Sequence, residues 1–301
     1  MSLYLKAFTL PIDLEEQMVM RRMEENGGCL GYIDNYYPCC MFGGKGLYSI
    51  DFSPVTILYG GNGSGKSTLL NLIAEKLSLH RLAPHNSGEL FDAYAGNCEV
   101  LMNSDDEGVP YTVPKQSAIF TSDDVFDYML AVRTNNAEIA EETERGKAEH
   151  ARLKFGDTVK LRGMEDYEQL RLQVMARSKT LSRRKFLRRT AGEQVRLQSN
   201  GETALTYFSE KLENDGLYCL DEPENSMSPR TQLELLRLLT DAARYCGCQL
   251  IIATHSPFLL SMDGARIYDL DSVPVRERNW WELENARVYY EFFKKHARLF
   301  E

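Results

Sequence analysis

The run Gly60–Ser67, "GGNGSGKS", constrains this chain more than any other stretch. It fits G-x-x-x-x-G-K-[ST], with the apolar strand pattern Val55–Gly60 leading in and the helical pattern Ser67–Leu77, "STLLNLIAEKL", leading out. Strand, glycine-rich turn and helix in that order gather backbone N–H groups and a helix N-terminus around one concavity, which suits phosphate oxygens. Gly60, Gly61, Asn62, Gly63, Ser64, Gly65 and Thr68 are the candidate cradle. Lys66 is placed to reach the β- and γ-phosphates, and the Ser67 hydroxyl to ligate Mg²⁺. A chance glycine-rich turn would lack these flanks. The stretch implies a nucleotide site, with Mg²⁺ held beside the phosphates.

The rest of the chain has the punctuation of an α/β protein. Tyr4–Leu10 and "LYSIDF" read as strands, and Asp13–Asn26 as a helix stopped by Gly27–Gly28. "GLYCL" and "QLIIAT" (Gln249–Thr254) read as short buried strands. Between them Ser228 caps a helix whose first turn holds Pro229. Strands alternating with helices imply a mostly parallel sheet.

Two of those strands end in reactive groups. "LYCLDEPE" closes on Asp221 and Glu222. Asp221 suits the Mg²⁺ shell, and Glu222 the proton of an attacking water. "IIATHSP" puts His255 at the end of the next strand, where open α/β sheets bind ligands. A lone histidine is commonly a satisfied core or surface residue; its place beside the acidic strand end favours contact with the γ-phosphate.

Composition narrows the class. With 43% hydrophobic and 26% charged residues, the 301-residue chain is ordinary for a soluble protein. No apolar run reaches membrane-spanning length, and the N-terminus lacks a secretory pattern, so a cytoplasmic location is expected. The net charge of −9 argues against a surface that clamps nucleic acid throughout. The seven cysteines lack zinc-site spacing and read as free, reduced thiols.

From about Asn135 to Val195 the chain is charged and helical in pattern, like an inserted lobe spanning 133–196. Within it Arg171, Arg177, Lys179, Arg183, Arg184, Lys185, Arg188 and Arg189 run without an acidic residue. One reading is a solvated face balancing the acidic Glu138–Glu149; the other is a patch for DNA, RNA or an acidic partner. The C-terminal "NWWELENARVYYEFFKKHARLF" reads as a helix whose aromatic stripe packs against the head, with a partner groove as the lesser reading.

Together "GGNGSGKST", "QSNGE", "LDEPENSMSP" and "ATHSP" resemble the ABC-type P-loop ATPase superfamily. More narrowly they resemble small stand-alone AAA, SMC and RecF-like ATPases. The resemblance implies one ATPase head over 1–301, with a mostly parallel central sheet, antiparallel N-terminal strands and the inserted helical lobe. It makes Lys66, Glu222 and His255 the catalytic set, and Ser67 with Asp221 the metal ligands. Ser199, Asn200, Gly201 and Glu202 fill an S-x-G-E signature, and Asn225–Ser228 the D-loop. In this superfamily two heads sandwich ATP, so Ser199, Gly201 and Glu202 are expected to serve the partner's nucleotide in a homodimer. The LSGGQ of transporter subunits is absent. Gln116 fits a Q-loop by spacing, with "IFTSDD" as the alternative, and the tyrosines of Tyr32–Tyr37 and Tyr48 are candidates for adenine stacking.

The implied function is Mg²⁺-dependent ATP hydrolysis coupled to a nucleic-acid process or a separately encoded effector, of the DNA-maintenance or phage-defence kind. The alternative is a low-turnover ATP-dependent switch. The 46 residues after His255 offer no room for the Toprim nuclease domain that some similar ATPases carry.

Overall fold

The computed structural model describes residues 2–25, 36–85, 87–155 and 200–300, with 170, 171, 173, 174 and 177. In chain order come β1 (Leu5–Thr9), α1 (Asp13–Glu25), β2 (Ser49–Asp51) and β3 (Val55–Tyr59), and β3 leads through the glycine loop into α2 (Lys66–Lys76). Next are α3 (Glu89–Asn97), β4 (Glu99–Met102), β5 (Ala118–Phe120) and α4 (Ser122–Phe155). From Asn200 follow α5 (Asn200–Lys211), β6 (Leu217–Asp221), α6 (Pro229–Tyr245) and β7 (Gln249–Thr254). The short α7 (Pro257–Leu260), β8 (Arg266–Asp269), β9 (Arg276–Glu277) and α8 (Glu284–His296) complete it.

The central sheet has the order β5-β6-β7-β3-β8-β9, parallel except for β9. A second, antiparallel sheet has the order β2-β1-β4. The mixed α/β architecture with a mostly parallel sheet is the one that the alternation of strands and helices implies.

Every residue of β3 and β7 is buried, as befits parallel strands covered on both faces. Leu58, Cys219, Ile251 and Ala253 share one core with Leu69, Leu72 and Ile73 of α2 and with Leu5 and Phe8 of β1. Ile57, Leu220, Leu250 and Ile252 point the other way and are equally inaccessible. Each such aliphatic side chain contributes about 2 kcal/mol on burial, so these strands are held in register chiefly by what they bury. α6 begins as its sequence predicts, with Ser228 accepting from the Thr231 N–H at 3.3 Å and Pro229 in the first turn.

Polar side chains join the two sheets: Tyr268 and Arg266 of β8 hydrogen-bond the backbone of Asp51 in β2, and Gln249 reaches β1. Gln249, fully buried in β7, accepts from the N–H groups of Tyr4 and Leu5, each at 2.8 Å. Its amide donates to Leu5 O at 2.8 Å. It thereby satisfies backbone groups of β1 that the sheet ladders leave over.

Cα packing separates two units, one of Met1–Phe126 with Asn200–Glu301 and one of Asp127–Ser199. In the second unit Arg171 and Arg177 lie at exposed helical positions. Lys179, Arg183, Arg184, Lys185, Arg188 and Arg189 lie outside the described residues. The six described cysteines carry free thiols, and burial pushes those of Cys39, Cys98 and Cys219 up to about 12. No helix among the described residues is long and apolar enough to cross a membrane.

The C-terminal aromatic stripe departs from its expected role. α8 forms, but only Ala286 of it is buried, while Tyr289, Tyr290, Phe292 and Phe293 are each at least half exposed. Helical periodicity reports that a helix has an apolar side; it does not report that something covers it.

Replacing Gln249 by leucine preserves volume and strands the β1 groups that it satisfies. The expected cost is about 3 kcal/mol in urea unfolding. A loss below about 0.5 kcal/mol would show that this amide does not join the sheets.

Candidate functional site

The glycine loop has the backbone that its composition allows. Gly65, the N-cap of α2, sits at φ 103, and a Cβ there would lie 3.0 Å from the Phe42 ring. Any other residue would be both strained and crowded. The Lys66 side chain, 4% exposed, folds back so that Nζ donates to Gly60 O at 2.7 Å and Gly61 O at 3.0 Å. Two residues outside the motif brace the loop. Lys45 Nζ donates to Ser64 O (2.7 Å) and Leu270 O (2.8 Å), tying the loop to the strand end after β8. Asp271 Oδ2 accepts the Gly61 N–H at 2.7 Å.

The parallel register carries the other groups to the same end of the sheet. Tyr59 lies opposite Thr254, and Asp221 opposite Ala253, so the glycine loop, the acidic pair and His255 leave three adjacent strands together. Burial raises Asp221 to about 6, against the opposing effect of a hydrogen bond from Ser67. Asp221 Oδ1 is buried without a partner. One hydroxyl and one carboxylate with a bare oxygen fit a hard divalent cation that takes its remaining ligands from phosphate and water. No group of three or more His, Cys, Asp or Glu able to cage a metal occurs among the described residues.

Glu222 occupies the left-handed region at φ 47, anchored by its N–H to Ala253 O at 2.9 Å. That conformation costs a non-glycine residue about 1 kcal/mol or more, and such strain concentrates at functional sites. The carboxylate lies between the glycine loop and the end of β7. Oε1 lies 3.8 Å from Lys66 Nζ and 3.6 Å from His255 Nδ1, while Oε2 accepts from Asn225 Nδ2 at 3.1 Å.

His255 is positioned through its backbone. Glu224, 4% exposed, accepts at Oε1 from the Thr254 hydroxyl and from the N–H groups of His255 and Ser256, both at 3.2 Å. Asn285 of α8 donates from its side-chain amide to His255 O at 3.4 Å and from its backbone N–H to the Tyr59 hydroxyl at 3.2 Å.

Lys66, Ser67, Asp221, Glu222 and His255 thus come together around the glycine loop. Gly60, Gly61, Asn62, Gly63, Ser64 and Gly65 form the loop itself, and the Thr68 hydroxyl accepts from Tyr37 at 3.1 Å. Gly201 sits in the first turn of α5, where a Cβ would lie 3.2 Å from Thr231 Oγ1, so this glycine also lets α5 approach α6. Glu202 is exposed in the same turn, and Ser199 lies outside the described residues. Gln116 is not at the site. Its amide is spent on Asn214 O (2.7 Å) and Asp215 O (2.6 Å), ahead of β6 and at the opposite end of the sheet. The segment after β5, within "IFTSDD", leaves the sheet at the same end as the site, with Asp124 Oδ2 accepting from the Thr121 N–H at 2.7 Å. Of the tyrosines, Tyr37 stacks on Phe91 with centroids 5.9 Å apart, Tyr36 and Tyr48 are exposed, and Tyr32 lies outside the described residues. Sequence reasoning missed Lys45, Glu224, Asn285 and the bracing role of Asp271; only "DEPE" carried a readable signal, its third carboxylate.

Residues 115–261 match the family model described as "AAA domain, putative AbiEii toxin, Type IV TA system". A search of curated proteins returned no match. Among solved structures, one similar chain is the dimeric ATP-binding cassette MJ0796 in a post-hydrolysis state bound to ADP and Pi. Identity is 17%, over 77% of this chain and 88% of that one, with a TM-score of 0.36. Another is cbiO1 from Clostridium perfringens, part of the ABC transporter complex cbiONQ, at 16% identity over 83% and 88%, with a TM-score of 0.39. Neither likeness is strong enough to carry a ligand or an assembly over to this chain.

The raised Asp221 sets a pH dependence. The unfolded chain releases this proton near the ordinary carboxylate range and the folded one only near 6, so between about 4 and 6 folding loses stability as pH rises. Asp221→Asn should therefore raise the melting temperature at pH 7.5 in EDTA without nucleotide. The gain should shrink below pH 6 and vanish near pH 4; a gain independent of pH would contradict the burial of this charge.

Proposed function

We propose that this chain is an ABC-type P-loop ATPase that binds Mg²⁺–ATP on the glycine loop and hydrolyses it to ADP and phosphate. The observation that carries this reading is the Glu222 carboxylate held between Lys66 and His255 beside the loop. Backbone N–H groups of Gly61–Ser67 cradle the β- and γ-phosphates, and Lys66 exchanges its loop carbonyls for phosphate oxygens. Glu222 accepts a proton from the water that attacks the γ-phosphorus as the bond to the β-phosphate oxygen breaks. His255 contacts the γ-phosphate oxygens on which charge accumulates. Ser67 and Asp221 would hold Mg²⁺, which neutralises charge on the β- and γ-oxygens when bound.

The S-x-G-E signature supports a two-headed arrangement. Ser199, Gly201 and Glu202 of one subunit act on the ATP of the other, and ATP closes the homodimer that hydrolysis opens. Glu222→Gln should bind ATP without splitting it and accumulate as a dimer under saturating ATP and Mg²⁺ in light scattering. Lys66→Ala should stay monomeric, with ATPase activity reduced at least about a hundredfold. A monomeric Glu222→Gln with ATP bound would overturn the sandwich.

The output is a separately encoded effector or a nucleic acid, in DNA maintenance or antiviral defence. The match of residues 115–261 to a toxin–antitoxin ATPase family model supports a defence setting. The basic run between Arg171 and Arg189 is the candidate contact for phosphate backbone. Affinity for DNA or RNA should then fall steeply between 50 and 200 mM salt; salt-independent binding, or none, would assign that run to a solvated face.

A further inference from the structure

Glu222 and His255 follow different strands, and one further side chain joins the two segments that carry them. Glu222 opens a turn in which it and Ser226 both occupy the left-handed region, at φ 47 and 65. Within that turn the Asn225 N–H donates to Glu222 O at 3.1 Å, and the Met227 N–H to Glu224 O at 3.0 Å. Two left-handed non-glycine residues in one turn persist only where surrounding contacts hold them. His255 sits in the second segment, between the buried residues Thr254 and Ser256. Its own side chain is 45% exposed, so a fixed backbone presents an accessible imidazole. Gln232, in the first turn of α6, touches both segments. Its Nε2 donates to Met227 O at 3.1 Å, and its Oε1 accepts the Ser256 hydroxyl at 2.7 Å. Ser256 Oγ in turn accepts from the N–H groups of Phe258 and Leu259 and so caps α7. Leu235 and Leu239, both fully buried, root α6 in the core, so the amide projects from a rigid element.

We propose that Gln232 is a positioning residue for ATP hydrolysis, holding the turn of Glu222 and the segment of His255 at one fixed spacing. The inference rests on the ATPase reading given above. Both ends of the amide are engaged by protein groups, so Gln232 acts through what it holds and not on the phosphate itself. The residue type fits the task. A carboxamide donates at one end and accepts at the other, and it does both without a charge at any working pH. An ionised glutamate would lose the donor that Met227 O needs, and a hydrocarbon would lose both contacts. The bridge also differs in kind from the contacts of Glu224, which accepts from the backbone N–H groups of His255 and Ser256. Gln232 instead takes the Ser256 side chain, so the histidine segment is held by its backbone and by its flanking hydroxyl together. The quantity that this bridge maintains is the 3.6 Å between Glu222 Oε1 and His255 Nδ1. A shift of about 1 Å between paired catalytic groups can slow a reaction about a hundredfold. The glycine loop lies outside the bridge, so nucleotide affinity is expected to stay as it is.

The test is single-turnover hydrolysis of Mg²⁺–ATP by the full chain, with Gln232→Met made both alone and together with His255→Ala. Methionine keeps the length of the side chain and removes both hydrogen bonds. Gln232→Met alone should lower the rate constant at least about tenfold, with half-saturation by ATP changed less than about twofold. In the His255→Ala background the same change should cost less than about twofold, because no pair is then left to hold in place. General damage to the fold would instead slow both backgrounds alike. Melting temperatures establish that each variant is folded. Should Gln232→Met be unfolded, Gln232→Glu replaces it; this variant keeps the acceptor for Ser256, and its loss should depend on His255 in the same way. An unchanged rate constant, a loss confined to ATP affinity, or an equal loss with and without His255 would each overturn the proposal. The ATPase reading fails separately: a wild-type chain that hydrolyses no ATP overturns that reading and this proposal with it. An active chain indifferent to Gln232 overturns this proposal alone.

Discussion

The site depends on the parallel pairing of β3, β7 and β6. Because β7 lies between the other two, the ends of all three strands are set by two ladders of hydrogen bonds that share β7. Glycine loop, histidine and acidic pair are far apart in sequence, from residue 60 to residue 255, yet become neighbours by a register that burial enforces. A slip of one residue would exchange the residues packed on the two faces of the sheet and move the strand ends that carry the site out of line with one another. The buried amide of Gln249 adds a second constraint at the opposite end of β7, where it fastens β1. The strand that presents His255 is thus fixed at its start by hydrogen bonds and along its length by packing.

On that frame the polar groups are arranged in layers. Glu222 holds a strained backbone conformation, and the surrounding contacts determine it: Ala253 O below, Asn225 beside, Lys66 and His255 ahead. Behind these stand groups that touch no reacting atom. Lys45 and Asp271 grip the glycine loop from two directions, and Glu224 gathers the donors of residues 254–256 onto one oxygen. Electrostatic catalysis gains from groups that are in place before charge develops, because little reorganisation is then left to the reaction.

Much of this was legible in the residues. The glycine loop, the strands 55–59, 217–221 and 249–254, and the capped start of α6 declare themselves through local rules, namely apolar runs ended by glycine, acid or proline. The groups around them do not. Lys45 precedes Ser64 by 19 residues with no motif between, and only the folded chain shows that its ammonium meets that carbonyl. Gln116 has a plausible spacing, but spacing does not say which end of a strand a side chain joins. Its neighbours Asn214 and Asp215 lie before β6, whereas the site lies after it. The aromatic stripe of α8 misled for a related reason: its period is that of a packed helix, but Tyr289, Tyr290, Phe292 and Phe293 stay at least half exposed among the described residues. Gly201 shows how one residue serves two demands, since close approach to Thr231 suffices to explain a glycine that the signature also requires.

The central claim is that Glu222 and His255 act as one unit on the same reacting phosphate. Single-turnover ATP hydrolysis in a double-mutant cycle tests it most directly, with Glu222→Gln, His255→Ala and the double variant compared at saturating Mg²⁺–ATP. Residues that act together are not additive. The expected result is that each single change slows the chemical step at least about a hundredfold and the double variant is scarcely slower than the worse single one. Effects that multiply across the cycle would show two independent contributions and contradict the shared role that the 3.6 Å contact between these side chains supports.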